Sequence, residues 1–134
     1  MAVDQAVPQE IIDQFVGAAH GHLATVQSML AQYPELVQAN ASWNELAVEA
    51  AAQTGRVNIV KLLLQAGAPL DICTVSMLGD IQAVRAFLEA DPQSAQASGA
   101  HGIPVLYFPV IGNHLEIAEL LLQKGANVNA GVAQ

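Results

Sequence analysis

Gly21, Gly55, Gly79 and Asn113 each stand between two short apolar-periodic segments, at successive spacings of 34, 24 and 34 residues. A recurrence near 33 residues constrains the fold strongly, because each repeat is then one supersecondary unit that buries its apolar face only against its neighbours. Glycine, and next to it asparagine, tolerates positive φ, so all four residues are expected to occupy one kind of tight turn between two helices.

Counting from each turn gives aligned columns in the segment that follows. Two residues on lie Leu23, Val57, Ile81 and Leu115; five on, Val26, Val60, Val84 and Ala118; eight on, Met29, Leu63, Phe87 and Leu121; nine on, Leu30, Leu64, Leu88 and Leu122. All are apolar. Offsets of two, five and nine mark one face of an α-helix at the i, i+3, i+7 period, and the column at eight widens that stripe.

The segments before the turns, residues 8–20, 45–54, 70–78 and 103–112, predict shorter first helices. Gly17-Ala18, Ala51-Ala52 and Ser76 lie just before their turns, where small side chains let two backbones approach. Pro8 and Pro104 fit a first helical turn, where a missing N–H costs little, and Asp71 suits the positive N-terminal end of its helix. Pro109 falls inside its segment and costs about 3 kcal/mol unless the helix kinks or is short, so an irregular helix is expected there.

The uneven spacing carries a second regularity. At an offset of 58, Gly21, Pro34, Gln38 and Ala39 recur as Gly79, Pro92, Gln96 and Ala97, and Ile59, Leu62, Leu63, Leu64, Gln65, Gly67 and Ala68 recur as Ile117, Leu120, Leu121, Leu122, Gln123, Gly125 and Ala126. The chain reads as a doubled pair of repeats. A long connector runs through residues 33–44 and 91–102, whereas residues 67–71 join the pairs with almost no loop. The expected architecture is an all-α solenoid of four helix-turn-helix repeats, over approximately residues 8–40, 41–69, 70–98 and 99–130 of a single domain spanning 1–134, with a shortened connector between repeats 2 and 3.

The run from Gly55 to Ala68, GRVNIVKLLLQAGA, and the run from His114 to Asn129, HLEIAELLLQKGANVN, resemble the second helix and exit turn of an ankyrin repeat. The chain resembles the ankyrin-repeat family over roughly residues 8–130. It departs from the family's Thr-Pro-Leu-His opening, holding Ile12-Asp13-Gln14-Phe15, Leu46-Ala47-Val48-Glu49, Leu70-Asp71-Ile72-Cys73 and Pro104-Val105-Leu106-Tyr107 instead, so the links that motif makes between repeats are not carried over.

The resemblance implies a concave face that binds another protein through the connector tips and exposed first-helix positions. Carried over by position, the tips are Ser42 and Trp43, then Ala100 and His101, followed by Glu45 and Ile103. The first-helix ends contribute Ala19 and His20, Gln53 and Thr54, Met77 and Leu78, and Ile111 and Gly112. Trp43 has two readings, an interface anchor or a ring folded back as local core. Met77, Leu78 and Ile111 form either an apolar strip beside it or ordinary core. The last repeat carries Val105-Leu106-Tyr107-Phe108 and Leu120-Leu121-Leu122 with little polarity, which makes pairing of two copies through this end the alternative function.

Composition narrows the rest. Hydrophobic residues make up 53% and charged residues 12%, which opposes disorder. A net charge of −8 opposes nucleic-acid binding and favours, if anything, a basic protein surface. The apolar stretch 103–111 is shorter than the roughly 20 residues of a membrane-spanning helix. The first basic residue is Arg56, so the start lacks the positive region of a secretory signal and cytoplasmic residence is the expectation. The lone Cys73 excludes an internal disulfide and, on an apolar-periodic helix, reads as a buried inert thiol. His20 and His22 flank a turn without a placed third ligand, leaving a metal-assisted enzyme as a remote alternative, and residues 99–102 lack the Lys-Ser/Thr ending of a phosphate loop.

The reading is a non-catalytic, cofactor-free module that binds a partner protein. Its helix phase is open to measurement by urea unfolding: Leu63→Ala is expected to cost about 2–5 kcal/mol and Gln53→Ala close to nothing, whereas equal losses contradict the phase.

Overall fold

The computed structural model describes residues 7–127. The described residues are all-helical, and their helices fall into four successive helix-turn-helix units. These are α1 (Gln9–Ala18) with α2 (Leu23–Gln32), α3 (Ala47–Gln53) with α4 (Val57–Gln65), α5 (Ile72–Leu78) with α6 (Ile81–Ala90), and α7 (Tyr107–Ile111) with α8 (Leu115–Gln123). Val128 and Asn129, at the end of the second family-like run, lie outside the described residues.

The second helices begin at Leu23, Val57, Ile81 and Leu115, the column two residues past each turn. The column at five is buried in all four repeats. Repeats 2 and 4 enclose the column at eight, through Leu63 and Leu121, while repeats 1 and 3 bury the column at nine, through Leu30 and Leu88. The helices therefore roll slightly in alternate repeats, in step with the doubled pair. Apart from Ala118, these residues join one apolar core that runs through all four units.

Three of the turns share one geometry. Gly55, Gly79 and Asn113 have φ of 69°, 86° and 63°. The next N–H bonds to a carbonyl five residues back, Arg56 to Ala51 at 2.9 Å, Asp80 to Val75 at 3.0 Å and His114 to Pro109 at 2.6 Å, which closes the helix end. The first turn corrects the expectation of four equal turns. Its His22 N–H reaches Ala18, four residues back, at 2.7 Å, so Gly21 needs no left-handed conformation. Gly21 instead leaves room for Arg56, whose guanidinium would lie 3.2 Å from a Cβ there and whose Nε donates to the His20 carbonyl at 3.0 Å.

Local signals start the first helices. The Asp71 carboxylate accepts the Thr74 N–H at 2.8 Å and caps α5, and the Glu49 carboxylate accepts the Leu46 N–H at 2.8 Å at the start of α3. One proline expectation is corrected. Pro104 precedes α7 and pairs with Ser98 in an isolated bridge, because the chain is still completing its hairpin there. Pro109 meets the condition set for it, a short helix: it is the third residue of five, where backbone N–H groups have no helical partner, so it forfeits no bond.

The long connectors begin with 3₁₀ turns at Pro34–Gln38 and Pro92–Gln96 and end in hairpins. The Ala41 N–H reaches the Glu45 carbonyl at 2.8 Å and the Gly99 N–H reaches that of Ile103 at 2.7 Å, with Asn44 and Gly102 left-handed at the two bends. Gln38 donates its side-chain amide to the Gly67 carbonyl and Gln96 to that of Gly125, the same bond repeated 58 residues later.

Repeat 3 has no hairpin, since Gly67 and Asp71 are only four residues apart. Its first helix is therefore enclosed. α5 packs on α3 and α7, those two also touch each other, and Ile72 to Met77 are all buried. Gly112 sits where a Cβ would collide with the Met77 carbonyl, while Gly17, inside α1, faces open space. Gly112 has an ordinary φ of −82°, so the collision alone decides the outcome. Gly112→Ala is expected to destabilise by about 1–3 kcal/mol and Gly17→Ala to stabilise by about 0.5–1 kcal/mol, as opposite shifts of the urea midpoint.

Candidate functional site

The two hairpins carry Trp43 and His101 at equivalent tips, 58 residues apart, and both side chains converge on Glu45. The Trp43 indole N–H donates to Glu45 Oε1 at 2.6 Å. His101 Nε2 lies 3.4 Å from Oε2 and His20 Nε2 lies 3.9 Å from Oε1. The carboxylate is fully enclosed, yet Trp43 is 43% exposed and the His101 and His20 side chains are 48% and 35% exposed. Glu45 therefore lies one layer of side chains below solvent.

The ends of the first helices complete this face. His20 Nδ1 lies 3.0 Å from the Gly17 carbonyl and 3.1 Å from that of Val16. With Nδ1 donating to these carbonyls, Nε2 is left to accept from the Gln53 amide at 3.4 Å. The Tyr107 hydroxyl donates to the Gln53 carbonyl at 3.0 Å, which ties α7 to α3 across α5. Ile111 lies over Gly55 and remains exposed. Ser42 is fixed by Asp13, whose carboxylate accepts its N–H at 2.7 Å and its hydroxyl at 2.8 Å. The Gln9 amide and then these two Ser42 donors hold the Asp13 carboxyl below its ordinary value.

The residues expected on one face divide accordingly. Ser42, Trp43, His101 and Ile111 are exposed, and Gln53, Thr54 and Ile103 are half-buried, Thr54 with its hydroxyl turned back onto the Ala50 carbonyl at 2.8 Å. Of the two readings given to Met77, ordinary core is the one observed: α3 and α7 meet over α5 and enclose it completely, leaving Leu78 half-buried at the rim. Ala100 is buried under its own hairpin, and Glu45 lies beneath the tips rather than at the surface. Trp43 combines both readings given to it, with its N–H anchored inward and its ring half in solvent. Sequence did not pick out Asp13, and it named Tyr107 only as part of the apolar last repeat. Each acts through a partner 29 or more residues away, which no local spacing signals.

The remaining chemistry is sparse. Burial first, and then Asp71 and Glu49, push the Cys73 thiol far above its usual range, so it is held as a thiol. Among the described residues no three His, Cys, Asp or Glu side chains are grouped to hold a metal ion, and no helix is long and apolar enough to cross a membrane. A groove of about 270 Å³ lined by Arg85, Leu88, Glu89, Pro92, Leu120 and Lys124 shares no residue with the hairpin face.

The comparison with curated proteins gave no match. The sequence matches the family model of ankyrin repeats, counted as three copies, over residues 15–131. Ankyrin repeats are generally modules of protein–protein interaction. Four helix-turn-helix units, three of them with a left-handed turn between their helices, and a family match over most of the sequence agree: the chain belongs to the ankyrin-repeat family.

Proposed function

We propose that this protein is a non-catalytic, cytoplasmic interaction module that binds a partner protein across the face carrying Trp43, His101, Tyr107 and Ile111. The observation that carries the reading is Trp43. Its ring is half exposed while its N–H is held by a buried carboxylate, so a large amphipathic side chain is presented to solvent in one orientation. Such an anchor loses little further freedom on binding, and tryptophan is enriched among residues that dominate interface energies. Tyr107 and Ile111, one helical turn apart on α7, extend the patch. The chain's net charge of −8 favours a partner with a basic surface.

A second reading, self-association through the last repeat, is favoured by a separate observation. Val110 and Leu115 are 58% and 64% exposed and Leu122 is also exposed, whereas Leu30 and Leu88, equivalent to Leu122, are buried. This apolar end suits a second copy of the chain.

Affinity capture from a cellular extract compares the intact chain with Trp43→Ala and Leu115→Ala. The partner reading expects capture to weaken by about ten-fold or more with Trp43→Ala and to persist with Leu115→Ala. A captured protein retained equally by Trp43→Ala overturns it. Light scattering tests the second reading, which expects a mass rising toward the dimer with concentration and abolished by Leu115→Asp; a constant monomer mass excludes it.

A further inference from the structure

The Glu45 carboxylate is buried without a fixed positive charge. Among the described residues no lysine or arginine lies within ion-pair distance of it; the side chains that do are two histidines, of which His20 faces it with the nitrogen that accepts from Gln53. Arg56 is engaged by the His20 carbonyl and packed against Gly21. Glu49, the nearest acid on α3, is taken up by the Leu46 N–H, and Asp13 by Ser42.

Two acceptors in this cluster receive no hydrogen bond. One is Glu45 Oε2, opposite the oxygen that Trp43 occupies; the other is Gln53 Oε1, which is also enclosed. They belong to the two residues that flank the His20 ring. An acceptor buried without a donor costs on the order of 1–3 kcal/mol, so each marks a place where a donor from outside is favoured.

We propose that these acceptors receive an arginine side chain of the partner, its guanidinium donating to Glu45 Oε2 and Gln53 Oε1 and stacking on the Trp43 ring. The inference rests on the partner-binding reading and names the chemistry of its anchor. A guanidinium matches the site in three respects: it is a planar fork of five donors that can serve two acceptors at once, it carries the charge Glu45 lacks, and it stacks on aromatic faces. An ammonium carries the charge without the fork. Entry requires that the tip side chain of His101, whose half-exposed ring lies 3.4 Å from Oε2, swing aside.

The test uses the intact chain at pH 8 and the fluorescence of Trp43, its single tryptophan. The probes are the tripeptide acetyl-Gly-Arg-Gly-amide and its citrulline and lysine counterparts. The arginine peptide is expected to give a saturable shift at about millimolar concentration, with the lysine peptide weaker and the citrulline peptide weaker by about ten-fold or more. Glu45→Gln, which keeps the side-chain shape and an oxygen for the indole, is expected to lose the arginine preference. Gln53→Glu, which adds a second carboxylate without touching Glu45, is expected to tighten arginine binding several-fold and guards against a Glu45 variant that fails to fold. Equal responses to arginine and citrulline, no response at all, or unchanged arginine binding in a folded Glu45→Gln variant overturns the proposal. If a captured partner is lost with Trp43→Ala but retained by Glu45→Gln, the binding face stands and the arginine site falls.

Discussion

The short link between repeats 2 and 3 governs the rest of the molecule. Elsewhere in the chain a connector of about a dozen residues ends in a hairpin, but Gly67 to Asp71 leaves room for none. A repeat without a hairpin opens a gap between its neighbours' hairpins. Here the gap is filled: α7 reaches α3 directly, Tyr107 bonds to Gln53, and His101 arrives at Glu45. Stacked repeats ordinarily touch only their immediate neighbours, so the contact between repeats 2 and 4 departs from one-dimensional stacking.

That closure has a cost and a compensation. α5 is buried on nearly all sides, which suits its sequence of Ile, Cys, Val and Met but leaves the Ser76 hydroxyl enclosed without a hydrogen bond. Glu45 is enclosed as well, and a buried carboxylate is tolerable only when polar groups meet it. The Trp43 N–H meets one oxygen and histidines from repeats 1 and 4 approach both. The same carboxylate thereby orients the exposed indole, so the element that strains the core also prepares the surface.

Much of the fold was legible because its signals are local. A left-handed residue, an apolar residue two places on and a stripe at helical spacing lie within one helix, and the second helices start where those columns place them. The pairing at an offset of 58 reappears as paired hydrogen bonds from Gln38 and Gln96 and as paired hairpins. One misreading is local too. Gly21, expected to be a conformational glycine, is a steric one, facing Arg56. Its role depends on how a neighbouring segment packs.

The candidate site divides along the same line. Sequence alone determined the period and the helix phase, because each is written in spacing along one chain segment, while the tip positions Trp43 and His101 came from the resemblance to the ankyrin-repeat family. Only the tertiary structure decided that the two tips meet, that Glu45 lies beneath them, that Met77 is sealed and that Tyr107 spans to Gln53. Those outcomes depend on how far apart whole repeats sit once a hairpin is missing, a distance set by packing between segments remote in sequence.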